Sequence, residues 1–311
     1  MATLRTRAPA KINLGLEVLG RRADGYHDIV TLAQPIALYD DVSCGPADRL
    51  AVVTDPPLVG EAENLVGVAA RALADRLGRR ADVRFAVVKR IPLAAGLGGG
   101  SSDAAATLRL LVRLWWIDWF TERGEWDAVV HAAEDVGSDV PLFLRGGAVL
   151  VAGRGERVEP VRLGRTFWVA LACPSFDVPH KTRALYAALT RADRSDGRAT
   201  ADLAAHLARE VTTSDGALSL EGRRFPNAFD RAASAVYPEF GALRRRLEDA
   251  AGIPLSLSGA GPSLYALFDA EDEAHAAAAR MAALGVPTYA ASAVTALPPI
   301  ERGPHPPTPS P

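Results

Sequence analysis

The chain has 311 residues, 49% of them hydrophobic, so it can bury a large core. Chains of this length form two domains more often than one. Its 35 basic and 37 acidic residues nearly balance, and no basic tract stands out, which argues against nucleic acid as a partner. The longest apolar stretches run for under about ten residues, whereas a membrane-spanning helix needs about 20. We therefore expect small-molecule partners and no membrane partner.

Cysteine usage bears on the compartment. Cys44 and Cys173 are the only two cysteines, and neither has a second thiol nearby or a metal-ligand spacing. This pattern favours buried structural thiols in a reducing compartment over a disulfide framework, so a cytoplasmic location is expected.

Strand and helix signals can be followed from the N-terminus. Apolar residues alternate at Ala10, Ile12, Leu14, Leu16 and Val18, which predicts a half-buried strand with Lys11, Asn13 and Gly15 together on its other face. A helix is predicted from the capping residue Asn64 to just before Gly78. The stretch "ADVRFAVVK" then alternates as a second strand.

A glycine-rich segment follows that strand, "IPLAAGLGGGSSDAA" at residues 91–105, and helical spacing resumes after it. The order is strand, loop, helix, with Ser101 or Ser102 expected to cap the helix and Asp103 to lie in its first turn. The segment lacks the lysine of a P-loop and the third glycine of a dinucleotide fingerprint. Those two nucleotide-binding motifs are excluded, and a dinucleotide-binding oxidoreductase is a weak alternative.

Later signals predict a second, smaller α+β layer. Helices are expected near 122–135, 180–190, 200–210, 227–250 and 271–284, with strands at "GGAVLVAG", "TFWVALAC", "PLSLSG", "SLYALF" and "TYAASAV". Flexible connections are expected around "RADRSDGRAT" and "TTSDGALSLEGRR". We place one domain at 1–155, a second at 156–298 and a disordered proline-rich tail at 299–311.

A glycine-rich turn before a helix has two physical explanations. It can present free N–H groups and the positive end of the helix dipole to a phosphate, without any lysine. It can also be a tight connection where two backbones pack closely. Composition and spacing leave both explanations open.

The order of the motifs resembles the GHMP small-molecule kinases, named for galactose, homoserine, mevalonate and phosphomevalonate. "PLAAGLGGGSSDAA" is similar to their second motif, "GSDVPLFL" to their catalytic turn and "LSGAGPSLYALF" to their third glycine motif. "GLGGGSS" and "PAKINLGLEVLGRRADGYHDIVTL" resemble the branch that uses ATP to phosphorylate the 2-hydroxyl of 4-diphosphocytidyl-2-C-methyl-D-erythritol (CDP-methylerythritol) in non-mevalonate isoprenoid synthesis. The resemblance spans residues 8 to about 297.

This resemblance implies an α+β fold of two domains. The first would be like domain 2 of ribosomal protein S5, the second ferredoxin-like, with ATP and substrate in the cleft between them. Lys11 and Asp139 match the catalytic pair, in which the aspartate accepts or orients the proton of the substrate hydroxyl. The ATP cradle would be Pro92, Leu93, Ala94, Ala95, Gly96, Leu97, Gly98, Gly99, Gly100, Ser101 and Ser102, and Mg²⁺ would come with the ATP phosphates, held in part by Ser102.

The resemblance also implies a substrate side. Tyr26 would stack on the cytosine and His27 would bond its polar edge, while Asn13 would bind the substrate or support Lys11. Tyr186 would close over the other face of the base, and the backbone at Gly259 and Gly261 would face the substrate diphosphate. The chain departs from the family pattern at three places: His180 and Lys181 stand where small residues or proline are expected, and Ala260 replaces a serine or threonine.

Two alternatives stay open at this point. Another GHMP kinase acting on a small alcohol would carry most of the same motifs. A non-catalytic homologue that only binds nucleotide would keep the fold, but it would not need the intact set of Lys11, Asp139 and glycine loop.

Overall fold

The chain forms two β-sheets with helices on their outer faces. The computed structural model describes residues 3–57, 64–115, 123–163, 165–209 and 220–303. The strands are β1 (Thr3–Arg21), β2 (His27–Pro46), β3 (Ala51–Asp55), β4 (Val83–Val88), β5 (Ala148–Gly153), β6 (Arg157–Val161), β7 (Trp168–Ala172), β8 (Ser256–Leu257), β9 (Leu264–Phe268), β10 (Thr288–Ser292) and β11 (Glu301–Gly303). The helices are α1 (Leu65–Arg76), α2 (Gly99–Leu114), α3 (Arg123–Val136), α4 (Lys181–Ala188), α5 (Arg198–Arg209), α6 (Asp230–Val236), α7 (Phe240–Ala251) and α8 (Glu271–Ala282).

The two sheets have different topologies. The first has the order β11-β1-β2-β4-β3, and β5 and β6 extend it from another part of β2; only β3 and β4 run parallel. The second has the antiparallel order β10-β7-β9-β8, with helices between β7 and β8 and between β9 and β10. This arrangement confirms the predicted ferredoxin-like second layer. None of the described helices combines the length and apolarity needed to cross a bilayer.

Three apolar cores lie between these layers. Helices α1, α2 and α3 cover the first sheet, and α4, α6, α7 and α8 cover the outer face of the second. The third core lies between the sheets, where alternate residues of β1 at Ala10, Ile12 and Leu14 meet β7 and β9. Because β1 alternates, Lys11 and Asn13 lie on its opposite face as predicted, but both are buried rather than exposed.

Residue 155, near which we place the domain boundary, lies in the turn of the β5–β6 hairpin. Strand β6 pairs with β5 in the first sheet, and the chain passes to the second sheet between Val161 and Trp168. The start of the predicted disordered tail is also structured, since β11 pairs with β1 and Arg5 bonds Glu301. Residues 304–311 lie outside the described residues.

One predicted connection and one predicted helix differ from the structure. The segment 191–200 contains a 3-10 turn at Arg191–Asp193 and the start of α5, which a buried Glu17 carboxylate holds by accepting from the Thr200 N–H at 2.7 Å. The helical region 227–250 is two helices, separated at Tyr237–Glu239. Most of the second flexible connection, residues 212–219, lies outside the described residues.

A buried ion cluster lies beneath the glycine-rich segment. The Lys89 ammonium contacts the carboxylates of Asp40 and Asp103, the latter at 2.6 Å. Asp40 also accepts from the Ile91 N–H at 2.8 Å, at the start of the loop. The cluster thus ties β2, β4 and α2 together where the loop begins. Asp103 serves this cluster and does not lie in the first turn of α2, which corrects the prediction.

Burial favours the protonated form of Asp103 in this cluster. Desolvation raises the pKa of the Asp103 carboxyl to about 8, against the opposing effect of Lys89. The neighbouring Asp40 carboxylate raises it further. The Oδ1 atom of Asp103 is buried and has no hydrogen-bond partner among the described residues, which suits a protonated carboxyl.

We expect Asp103 to make stability depend on pH. Because its pKa in the folded state lies above the ordinary value of 3.8, the folded state holds a proton that the unfolded state loses. The stabilising contribution is full below about pH 4 and is lost as pH rises to about 8, at up to about 1.4 kcal/mol per pH unit. Urea unfolding of Asp103→Asn across this range should show a shallower decline than the native chain. Equal slopes would contradict the assignment.

Candidate active site

The predicted catalytic pair is brought together at the cleft. Strand β1 places the Lys11 ammonium 3.8 Å from Asp139 Oδ2. Asp139 lies in the turn that precedes a 3-10 turn at Pro141–Leu144. Lys11 is buried, whereas the Asp139 side chain is 44% exposed. Burial lowers the pKa of Lys11, and the Asp139 carboxylate opposes this shift. The cation is therefore held by protein groups while the carboxylate stays accessible to a ligand.

Asn13 fixes the position of Lys11. Its Oδ1 accepts from the Lys11 ammonium at 2.7 Å, and its Nδ2 donates to Thr31 Oγ1 at 2.7 Å. Thr31 in turn donates to the Gly15 carbonyl at 2.6 Å, next to a β-bulge in β1. Bulges re-aim side chains near active sites. Thr31 was not predicted; its hydroxyl in an otherwise apolar part of β2 was the available signal.

The glycine-rich segment forms a loop whose residues have different roles. The side chains of Ala95 and Leu97 are buried in the core, and the Leu97 carbonyl accepts from the Lys11 N–H at 2.9 Å. Leu93 is 57% exposed. Gly98 has φ +70°, and a Cβ there would lie 3.0 Å from the Phe143 ring and 3.2 Å from Lys11 Cγ. Glycine at this position keeps the space above Lys11 open.

The start of helix α2 corrects one prediction. The helix begins at Gly99 with Gly98 as its N-cap, and no side chain caps it, so neither Ser101 nor Ser102 does. The Ser102 Oγ is buried without a hydrogen-bond partner in the described part of the chain. A hydroxyl in that state fits a phosphate oxygen or a cation as its missing partner.

A resident metal centre has no support in the described residues, since no three histidine, cysteine or acidic side chains cluster there. Mg²⁺ commonly binds through one or two protein ligands and substrate phosphates. The residues present therefore fit a cation that enters with a nucleotide, with Ser102 as the available ligand.

The third glycine motif packs directly against this loop. At Gly259, a Cβ would lie 2.9 Å from the Gly96 carbonyl and 3.2 Å from the Lys11 ammonium. Asn227 Nδ2 donates to the Gly259 carbonyl at 2.9 Å and Tyr237 donates to the Ala260 carbonyl at 3.1 Å, so side chains hold this turn from behind. The backbone at Gly259 thus lies beside Lys11, and the backbone at Gly261 lies beside Gly96.

Residues 24–27, "DGYH", form a turn. Gly25 has φ +87°, and Asp24 accepts from the Tyr26 N–H at 3.1 Å. The Tyr26 ring is 54% exposed, and the Arg154 guanidinium lies 4.3 Å from its centroid. Arg154, in the β5–β6 turn, was not predicted. It supports one face of the ring and leaves the rest in solvent.

His27 and Tyr186 form a second aromatic contact. Their rings stack with centroids 4.5 Å apart, and Phe229 packs edge-on against Tyr186 at 4.9 Å. Burial lowers the pKa of His27, and the positive charges of Arg21 and Arg194 lower it further, so the imidazole is neutral at pH 7. Because His27 covers Tyr186, the closure of Tyr186 over a base opposite Tyr26 stays a prediction.

Comparison with known proteins identifies relatives along most of the chain. The family model "GHMP kinases N terminal domain" matches residues 64–147, and "GHMP kinases C terminal" matches residues 216–286. A protein of Dehalococcoides mccartyi named 4-diphosphocytidyl-2-C-methyl-D-erythritol kinase is 36% identical over 262 residues, which are 84% of this chain and 88% of that relative.

Solved structures give the same result. A 4-(cytidine 5'-diphospho)-2C-methyl-D-erythritol kinase is 31% identical with a TM-score of 0.74, and the match covers 93% of this chain and 99% of that one. A homoserine kinase of Cytophaga hutchinsonii has a TM-score of 0.69 at 20% identity, over 97% of this chain and 98% of that one, and shares the fold.

We expect Gly98→Ala to reduce ATP affinity at least about tenfold, equal to about 1.4 kcal/mol, because its methyl group crowds Phe143 and Lys11. Gly78→Ala is the matched control: Gly78 also has positive φ, but a Cβ there meets nothing within 4 Å. Both should lose about 1–2 kcal/mol of stability from backbone strain. Calorimetric titration with ATP separates them, and equal affinity in both variants would mean that Gly98 serves packing alone.

Proposed function

The chain belongs to the GHMP kinases, which are ATP-dependent small-molecule kinases, and from this premise we propose that it phosphorylates the 2-hydroxyl of CDP-methylerythritol. The products would be the 2-phosphate and ADP, in isoprenoid precursor synthesis. The D. mccartyi relative and the solved kinase that carry this substrate in their names support the assignment.

One observation carries the proposal: Lys11 contacts Asp139 and both glycine loops. Its ammonium donates to the Gly96 carbonyl at 3.1 Å and lies 3.8 Å from Asp139. Gly98 and Gly259 approach it so closely that a Cβ on either would lie 3.2 Å from a Lys11 atom. A transferred phosphoryl group needs a cradle, a cation and a group that orients the attacking hydroxyl, all within a few ångströms.

The roles follow from burial and charge. Asp139, accessible and beside a cation, would accept the proton of the substrate hydroxyl as its oxygen attacks the γ-phosphorus, and ADP would leave. Lys11, fixed by Asn13, would stabilise the negative charge of the transition state without having to reorganise. Mg²⁺ bound with ATP would neutralise phosphate charge, and Ser102 is the residue that would hold it.

The residues proposed to bind the substrate support the CDP-methylerythritol branch of the family. The exposed Tyr26 ring offers a face for a base, and the neutral His27 can both donate to and accept from a base edge. A kinase for a small alcohol without a base would not need this exposed aromatic turn. A homologue that only binds nucleotide would not need an accessible Asp139 held beside a buried lysine.

The proposed reaction is tested by ADP release from ATP with CDP-methylerythritol, homoserine or mevalonate as acceptor. We expect turnover with CDP-methylerythritol but not with homoserine or mevalonate, and ³¹P–¹³C coupling to C2 in the product. Asp139→Asn should lower kcat by about 10²–10⁴, the usual loss for a general base. Preference for another acceptor would assign the chain to a different branch, and near-normal turnover of Asp139→Asn would remove it from the mechanism.

Stacking on Tyr26 gives a second prediction. Tyr26→Ala should weaken binding of the cytidine substrate by about 1–3 kcal/mol, since base–aromatic stacking has this magnitude, and should leave ATP affinity unchanged. Tyr26→Phe keeps the ring and should be mild. Tyr39→Ala is the matched control, because Tyr39 also lies 4.3 Å from an arginine, Arg7, but outside the site. Calorimetry that shows no loss for Tyr26→Ala would sink the base-site assignment.

A further inference from the structure

Lys181, the first residue of α4, stands where the family pattern predicts a small residue or proline. Its ammonium donates to the Gly261 carbonyl at 3.3 Å, and the side chain is partly buried. Within the described ranges, no carboxylate lies at ion-pair distance from it. Burial lowers the pKa of Lys181, and no neighbouring charge compensates. A partly desolvated cation of this kind is stabilised by an anion.

Lysine is rare in this chain, which makes its positions informative. Of the 35 basic residues, three are lysines: Lys11, Lys89 and Lys181. The first pairs with Asp139 and the second with Asp40 and Asp103, so both are held by carboxylates. Elsewhere the chain uses arginine, whose planar fork differs from the compact ammonium of lysine. Lys181 is the lysine whose counter-charge is missing from the described part of the protein.

The position of Lys181 relates it to the reacting centre. Its partner, the Gly261 carbonyl, lies 3.0 Å from where a Cβ of Gly96 would be. The Gly96 carbonyl in turn accepts from Lys11. Two ammonium groups therefore bond the backbone on either side of the point where the two glycine loops meet.

Helix α4 also reaches the base side of the cleft. Tyr186, which stacks on His27, lies five residues after Lys181, and five residues of α-helix span about 7.5 Å. Lys181 thus lies at the end of α4 nearest the glycine loops, and Tyr186 lies toward the base turn. In a nucleotide-linked alcohol the diphosphate connects the base to the reacting part of the molecule, so it would pass along this helix.

We propose that Lys181 binds the diphosphate of the nucleotide-linked acceptor substrate. The proposal rests on the proposed function. It gives the substrate diphosphate a positively charged partner, which the uncharged Gly259–Gly261 backbone does not provide. It also accounts for Ala260, because the ammonium replaces the contact that a serine or threonine hydroxyl would make there. The phosphates of ATP are the other source of the same chemistry, and the experiment separates the two.

The test compares Lys181→Met, Lys181→Arg and the control Arg183→Met, which removes a positive charge from an exposed position on the same helix. Lys181→Met should raise KM for CDP-methylerythritol about 10- to 100-fold, the loss expected for one charged hydrogen bond, with KM for ATP within about twofold. Lys181→Arg should recover part of the affinity, and Arg183→Met should match the native chain. The melting temperature of Lys181→Met should not fall, since methionine is buried without loss of charge solvation.

A binding experiment keeps this test independent of turnover. The native chain should bind CDP more tightly than cytidine in calorimetry, and Lys181→Met should lose that preference. A rise in KM for ATP instead would assign Lys181 to the donor phosphates and overturn the proposal. Equal losses for CDP and cytidine, or no preference for CDP in the native chain, would also overturn it. If CDP is preferred but CDP-methylerythritol is not turned over, the proposed reaction fails and the diphosphate site stands.

Discussion

The close approach of two glycine loops is the constraint on which the cleft depends. At Gly96 a Cβ would lie 2.4 Å from the Ser258 carbonyl, so no side chain fits between the loops. The Ser263 N–H donates to the Ala95 carbonyl at 3.3 Å, and Lys11 bonds both the Gly96 and Leu97 carbonyls, which fixes the loops to β1. Of the two explanations for glycine, close packing applies at Gly96. At Gly98 the missing side chain leaves space above Lys11, which is compatible with the explanation by phosphate binding. One short segment therefore joins the two sheets and leaves room for a ligand.

Burial of positive charge is the second constraint. Lys11 is desolvated, and its pKa falls in spite of Asp139, so keeping it charged costs folding free energy. The compensation comes from Asn13, the Gly96 carbonyl and a half-exposed carboxylate, each of which also orients the ammonium. Water in the same position would have to reorganise during phosphoryl transfer, whereas these groups are already in place. In the proposed reaction, the folding cost and the catalytic benefit would therefore have the same origin.

Local patterns predicted what local forces determine. The alternation in β1, the Asn64 cap and the strand–loop–helix order each depend on neighbours in sequence, and the structure confirms them. The failures involve distant partners. Ile300 packs on the first core and Glu301 pairs with Arg5, so a proline-rich segment becomes a strand edge. Lys89 ends the predicted strand "ADVRFAVVK", but its two carboxylates come from β2 and α2. The motif resemblance paired Lys11 with Asp139, but it assigned no role to Arg154 or Lys181.

The two ends of the proposed site are held by different kinds of contact. The proposed phosphoryl-transfer centre is therefore structurally separate from the residues proposed to select the substrate. At the phosphoryl end, backbone meets backbone, and a single added methyl group would displace a loop or Lys11. At the proposed base end, side chains meet: the exposed Tyr26 lies under Arg154, and the partly buried His27 lies on the partly buried Tyr186. Side chains there can change without moving the glycine loops, because their backbone bears no such contact; Gly25, for example, has nothing within 4 Å of its Cβ position. A fold built this way can keep one phosphoryl-transfer centre while the acceptor end is altered residue by residue, and helix α4, with Lys181 at one end and Tyr186 toward the other, is the element that joins the two.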